Sequence, residues 1–154
     1  MLIIGKDESS TPPKLTMSGV IDETVDFSKL SDARKSDLHI LCREVNRINS
    51  VGIKIWRDFF RNYREQGGSV RFHELSPALV ATMNYISDFV EIKELVSLCA
   101  PYICPKCKTS ALKVLTVAEA KSCLPTPPSM ACPKCSALME LDEIPEEYFS
   151  FTQK

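Results

Sequence analysis

The stretch Cys104-Pro105-Lys106-Cys107 decides the fold of the C-terminal third, and it is repeated as Cys132-Pro133-Lys134-Cys135. Each copy places two thiols at the ends of a tight turn, so both sulfur atoms can reach one ion. Four thiolates match the tetrahedral preference of Zn²⁺, and the 24 residues between the pairs leave room for a short hairpin or loop. The repeat therefore predicts a structural zinc ribbon with the ligands Cys104, Cys107, Cys132 and Cys135.

Other roles for the cysteines are less well supported. A redox Cys-x-x-Cys normally occurs once, at the start of a helix, and structural disulfides suit secreted proteins. The apolar N-terminal run from Met1 to Gly5 is too short for a secretory signal, so we expect a reducing, cytoplasmic location. Cys42, Cys99 and Cys123 are interpreted as small apolar residues, with Cys99 and Cys123 kept as reserve ligands.

Charge is distributed unevenly along the chain. The 154 residues are 44% hydrophobic and 25% charged, with a formal net charge of −1, and no apolar run is long enough to span a membrane. All seven arginines lie between Arg34 and Arg71. The C-terminal stretch is acidic, with Glu140, Asp142, Glu143, Glu146 and Glu147. Because nucleic-acid modules use arginine for phosphates and guanines, the ribbon is predicted to be structural or protein-binding.

The first hundred residues alternate between strand and helix patterns. Apolar runs predict strands over 14–21, 37–45 and 69–75, and a three-to-four spacing predicts an amphipathic helix over 53–65. A second helix is expected from an N-cap at Ser76, with a core face of Leu79 or Val80, Met83, Ile86 and Val90. This order favours an α/β layer of parallel strands.

The remaining segments complete the predicted organisation. Segment 91–98 is interpreted as a last strand or a partly helical connector, and 145–151 as a terminal turn of helix that packs its aromatic residues back. The chain is thus divided into an α/β domain over 1–99 and a zinc-ribbon module over 100–154.

Ile48-Asn49-Ser50-Val51-Gly52 joins an apolar strand to an amphipathic helix. Together with the strand at Gly68-Ser69-Val70-Arg71-Phe72 and the helix start at Ser76-Pro77, it resembles the STAS domain (sulfate transporter and anti-sigma factor antagonist). The resemblance covers roughly Leu2 to Cys99 and is closer to the anti-sigma factor antagonists than to a transporter tail. The Cys₄ ribbon is not part of the usual STAS pattern, so the chain would be a variant with an added module.

The resemblance implies a site at Ser50. In antagonist-type STAS domains the serine of this loop is phosphorylated by a partner kinase, which is often the anti-sigma factor, and Ser50 matches it by position. Asn49 stands where the family usually has Asp, a departure that changes kinase recognition or removes phosphorylation. The alternative interpretation is that Asn49 and Ser50 serve only as N-cap residues for the following helix.

A basic stripe is expected on that helix, beside the apolar face. Lys54, Arg57, Arg61 and Arg64 are spaced three and four apart and, with Asn49, Ser50 and Gly52, form the candidate partner-binding surface. An acidic partner surface could dock there, or the stripe is a solvated helix flank. His39 and His73 are interpreted as strand-packing residues.

The sequence thus predicts a cytoplasmic, bacterial-type regulatory protein that binds a protein partner and performs no catalysis. The alternatives are a ribbon that binds nucleic acid or the transcription machinery, a scaffold subunit of a signalling assembly, and a small zinc hydrolase. The four-thiolate set argues against the hydrolase because it leaves no open position for water.

Overall fold

Within the residues that the structure describes, the protein is mixed α/β, with two four-stranded sheets. The computed structural model describes residues 1–7, 9, 14–31 and 37–154. Its strands are β1 (Leu2–Asp7), β2 (Lys14–Ile21), β3 (Asp37–Ile48), β4 (Ser69–His73), β5 (Ser97–Ile103), β6 (Ser110–Thr116), β7 (Met130–Ala131) and β8 (Leu138–Leu141). Its helices are α1 (Ser28–Ser31), α2 (Ser50–Glu65), α3 (Pro77–Tyr85), α4 (Val117–Lys121) and α5 (Pro145–Tyr148). Short 3₁₀ turns occur at Ile92–Glu94 and Ser150–Gln153.

The first sheet has the order β1-β2-β3-β4. The predicted parallel pairing is confirmed for β2 with β3 and for β3 with β4, whereas β1 adds to the edge in the antiparallel direction. The strand predicted over 37–45 continues to Ile48, and the helix predicted from 53 begins at Ser50. Within the described residues no helix is long and apolar enough to cross a membrane.

The α2 helix covers the apolar face of this sheet. Its buried residues Trp56 and Phe60 recur four apart, as the helical period requires. The Trp56 ring stacks on Phe72 of β4 and on Phe89, and its Nε1 donates to the Phe89 carbonyl oxygen at 2.9 Å. The indole is therefore buried with its polar atom satisfied.

The α3 helix is shorter than its predicted core face. The Ser76 side chain caps it, with Pro77 at the first helical position, as expected. The helix ends at Tyr85, because Ile86 is already extended, with φ −110° and ψ 110°. The prediction that the helix reaches Val90 is wrong, although Val90 is buried beyond it.

The second sheet has the order β6-β5-β8-β7 and is antiparallel. It is joined to the first sheet at the start of β5, because parallel bridges connect Phe72 with Leu95 and Leu75 with Leu98. The boundary predicted between residues 99 and 100 falls inside β5. One hydrophobic cluster contains core residues of both parts of the chain.

The C-terminal segment returns to the first part of the chain, with the predicted terminal helix turn at α5. Tyr148, Phe149 and Phe151 are buried, and the Tyr148 hydroxyl donates to the Cys99 carbonyl oxygen. Asn84 of α3 donates through Nδ2 to the Tyr148 carbonyl oxygen at 2.9 Å and accepts through Oδ1 from the Phe151 backbone N–H at 3.0 Å. The tail is therefore attached by both apolar and polar contacts.

Candidate functional site

The first cysteine pair forms a tight turn after β5. The Lys108 backbone N–H donates to the Cys104 carbonyl oxygen at 2.9 Å, and the Cys104 N–H donates to the Thr109 carbonyl oxygen at 2.9 Å. Lys108 has a φ of 62°, and the Cys107 N–H points at the Cys104 Sγ at 3.5 Å. This turn aims both thiols to the same side.

The second pair repeats the same turn before β8. The Ser136 N–H donates to the Cys132 carbonyl oxygen at 2.9 Å, and the Cys132 N–H donates to the Ala137 carbonyl oxygen at 2.8 Å. Ser136 has a φ of 63°, and the Lys134 N–H lies 3.4 Å from the Cys132 Sγ. The sequence repeat thus becomes a repeat of backbone geometry.

The two turns bring the four predicted ligands together. The Sγ atoms of Cys104 and Cys135 are 3.5 Å apart, and those of Cys107 and Cys132 are 3.6 Å apart. All four Sγ atoms lie within 4.8 Å of one another. The four cysteines could therefore bind one metal ion.

Local hydrogen bonds favour a thiolate at Cys107, one of the four cysteines of this cluster. The Thr109 Oγ1 lies 3.0 Å from the Cys107 Sγ, and hydrogen bonds from the hydroxyl and the backbone N–H of Thr109 lower the pKa of Cys107 to about 6. With this pKa, Cys107 is mainly a thiolate at neutral pH, and the thiolate rather than the thiol is the form that binds a metal ion.

The other three cysteines lie outside this cluster. Burial raises the pKa of Cys42, raises that of Cys99 to about 11, and raises that of Cys123. The Cys99 Sγ contacts the Glu74 carbonyl oxygen at 3.7 Å, and the Cys123 Sγ contacts the Glu119 carbonyl oxygen at 3.2 Å. They are buried as protonated thiols, as expected for core residues.

The sequence left open whether Asn49 and Ser50 both serve as N-cap residues of α2, and in the structure Asn49 alone does so. Asn49 is the N-cap: its side-chain oxygen accepts from the Gly52 N–H at 2.8 Å, and its Nδ2 donates to Glu23 at 3.0 Å. Ser50 is the first helical residue and is exposed. Among the described residues, no side-chain hydrogen bond involves the Ser50 hydroxyl.

Gly52 allows the start of α2 to lie against the end of β2. A Cβ atom at Gly52 would lie 2.3 Å from the Ile21 carbonyl oxygen and 2.7 Å from its carbon. The Asn49 N–H donates to that same carbonyl oxygen at 3.1 Å. The glycine is therefore needed for close backbone packing.

The basic stripe is largely paired with carboxylates of the same chain. On its exposed side, Lys54 Nζ lies 2.7 Å from the Asp58 carboxylate, which Arg61 also approaches at 3.8 Å. Toward the segment after α3, Arg57 lies 2.7 Å from Asp88. The least exposed member, Arg64, makes two short bonds to buried Glu94, at 2.6 and 2.7 Å.

Two features were not predicted from sequence. The His39 Nδ1 lies 2.9 Å from the His73 Nε2, on the neighbouring strands β3 and β4. Burial, followed by the charge of Lys14 and the proximity of His39, lowers the pKa of His73 to about 4. The second feature is the set of contacts from Asn84 to the tail. Neither the register of two strands nor the choice of Asn84 as the residue that contacts the tail leaves a local sequence signal.

Comparison of the chain with protein-family models, curated proteins and solved structures found no match.

Proposed function

We propose that the protein is a regulatory protein-binding module of the anti-sigma factor antagonist type, with a STAS-like α/β part and a structural zinc ribbon, acting in a reducing cytoplasm without catalysis of its own. The observation that carries this proposal is that Asn49 and Ser50 have different roles at the start of α2. Asn49 supplies the cap, which leaves the Ser50 hydroxyl exposed and available to another protein.

Phosphorylation of Ser50 is the proposed switch. A phosphate adds about two negative charges at neutral pH, and the first turn of a helix stabilises such a charge. The folded domain can therefore carry the group without unfolding. Glu23, which accepts from Asn49 at 3.0 Å, places one carboxylate beside this loop, and a phosphate on Ser50 would add to the repulsion of an acidic partner.

The partner surface extends from this loop along α2. It comprises Asn49, Ser50, Gly52, Lys54, Arg57, Arg61 and Arg64. Lys54 and Arg61 are its most exposed cations, with 77% and 54% of their side chains accessible, so they are the members that a partner reaches first. Because Asp58 and Asp88 offset much of the charge, shape and hydrogen bonding at the loop contribute more than net charge.

Zinc is the proposed ion. Four sulfur atoms bonded to a tetrahedral Zn²⁺ at about 2.3 Å lie about 3.8 Å from one another. The Sγ separations of 3.5 and 3.6 Å are close to that value and far above the ~2.05 Å of a disulfide. With all four positions filled by thiolates the ion is structural, and its binding free energy contributes to folding.

The test begins with the phosphorylation state of Ser50. Phosphopeptide analysis of the protein from its native cells is expected to find phosphate on Ser50. Partner capture is then compared between wild type, Ser50→Ala and Ser50→Asp, with Ser110→Asp as the control because Ser110 is also exposed and lies in the second sheet. We expect Ser50→Asp to lose a partner that Ser50→Ala and Ser110→Asp retain. An unmodified Ser50 under all growth conditions, together with equal capture by all variants, would refute the switch.

A further inference from the structure

An apolar groove lies between the proline loop (residues 126–129) and the turn that follows β8. Pro127, Pro128, Leu141 and Pro145 line it, and the groove encloses about 330 Å³. This volume is enough for one or two aliphatic side chains. Met139 also lines the groove and is only 2% exposed, so it belongs to the core.

The groove is held in place before anything binds. The Tyr102 hydroxyl donates to the Pro128 carbonyl oxygen at 2.6 Å, and Tyr102 is itself a buried residue of β5. Prolines have a fixed φ and lose little conformational entropy when a ligand is bound. The wall formed by the loop is therefore preorganised, which reduces the entropic cost of binding.

A second cavity of about 380 Å³ adjoins the first, because Glu143 lines both. It lies between α3 and the tail, and its lining includes Tyr85, Glu146 and Glu147. Tyr85 is 83% exposed, an unusual position for a tyrosine side chain that neither packs nor hydrogen-bonds within the described residues. The two cavities, which meet at Glu143, are together called the groove, and Tyr85 lies at the end formed by the second cavity.

The rim of this groove carries unbalanced negative charge. Glu140, Glu143, Glu146 and Glu147 form no ion pair within the part of the chain that the structure describes, whereas each cation of the basic stripe has a carboxylate partner. The nearby Lys154 ammonium donates to the Asn84 carbonyl oxygen at 2.8 Å. The charge that the groove offers to a partner is therefore negative.

We propose that this groove binds an extended basic segment of a partner protein, in which arginine or lysine side chains flank an apolar anchor. The apolar anchor enters the cavity lined by the prolines and Leu141. A charged segment that lacks an apolar residue cannot fill this cavity. The flanking cations reach Glu143 and its neighbours, and an arginine stacks on the open face of Tyr85. This surface is independent of the Ser50 switch and does not need phosphorylation.

The test uses three fluorescein-labelled decapeptides and the zinc-loaded full chain. The first peptide has four arginines around a central pair of leucines, the second replaces the arginines with glutamates, and the third replaces the leucines with serines. Fluorescence anisotropy is expected to show binding of the first peptide alone, weakening as salt is added. In ¹⁵N-labelled protein, the largest amide shifts are expected at Thr126 and Ser129 and at the non-proline residues of 139–147.

Two matched variants distinguish binding of the peptide in the groove from general electrostatic attraction to the protein. Glu143→Gln is expected to weaken the first peptide by about fivefold, as for the loss of one partly exposed ion pair. Glu65→Gln removes the same charge from an exposed position on α2 and is expected to leave affinity unchanged. Equal weakening by both variants, equal binding of the serine peptide, no binding of the first peptide, or amide shifts elsewhere would overturn the proposal. A dimer that sedimentation detects and Glu143→Gln dissolves would also overturn it, because the occupant would then be a second copy.

Discussion

Gly52→Ala tests how closely the start of α2 lies against β2. The added Cβ would lie 2.3 Å from the Ile21 carbonyl oxygen, so the helix start must move by roughly 1 Å to restore ordinary contact. That movement weakens the hydrogen bond from the Asn49 N–H to Ile21, at 3.1 Å, and the cap from Asn49 to residue 52, at 2.8 Å. Each is worth about 1 kcal/mol.

The net change in the free energy of unfolding of Gly52→Ala is the sum of three contributions. Overpacking adds about 1–3 kcal/mol to the lost hydrogen bonds, and the better helix propensity of alanine returns about 1 kcal/mol. We expect Gly52→Ala to lower the free energy of unfolding by about 2–4 kcal/mol. At a urea dependence of about 2 kcal/mol per molar, the unfolding midpoint falls by about 1–2 M.

The assay is urea unfolding followed by the fluorescence of Trp56, the single tryptophan, which belongs to α2 and is fully buried against Phe72 of β4. Gly67→Ala is the control, because Gly67 has a φ of +88° but no atom within 4 Å of an added Cβ. It should cost only the backbone strain of about 1–2 kcal/mol. If Gly52→Ala proved as stable as wild type, or more stable than Gly67→Ala, the close packing at Ile21 would be refuted.

Two further variants test the tail and the histidine pair. Asn84→Ala removes three side-chain hydrogen bonds to the C-terminal segment and is expected to cost about 2–3 kcal/mol in urea unfolding and to speed proteolysis of the tail. Asn62→Ala, at an exposed helix position, should cost less than about 0.5 kcal/mol, and equal effects would contradict the attachment. The unfolded chain protonates His73 near pH 6.5, whereas burial, Lys14 and His39 lower its folded pKa to about 4. The contribution of His73 to stability is therefore complete above pH 6.5 and is lost as the pH falls toward 4. We expect His73→Gln to reduce the difference between the free energies of unfolding measured at pH 7 and at pH 5. An unchanged difference would contradict this.

The features that the sequence predicted correctly are local. The thiol spacing determines two equivalent turns, and the apolar period of α2 places Trp56 and Phe60 on one buried face. Ser76 caps α3 because its side chain accepts from a backbone N–H only three residues away. Such features depend on residues within one turn or one strand of each other, so a linear pattern contains them.

The features that it did not predict depend on distant residues. β1 pairs with β2 in the antiparallel direction, and its short apolar run gives no sign of this partner. Arg64 pairs with Glu94, thirty residues further along the chain. A cation that was expected to face a partner is therefore paired within the chain. The start of β5 joins the two sheets through the bridge between Leu75 and Leu98. Register and long-range ion pairs are set by tertiary packing and have no local signal.

The attachment of the tail has a consequence for metal binding. Because one hydrophobic cluster contains residues from both parts of the chain, an ion bound by the four cysteines would stabilise more than their two turns. Removal of the ion with a chelator is therefore expected to loosen the C-terminal third first and then the contacts between Tyr148 and Cys99.

The most direct measurement is the metal content of the protein purified without added metal, by inductively coupled plasma mass spectrometry. We expect one zinc ion per chain, lost in Cys107→Ser and retained in Cys123→Ser, because Cys107 belongs to the four-thiol cluster and Cys123 does not. A metal-free wild-type protein that unfolds at the same urea concentration with and without added zinc would contradict it.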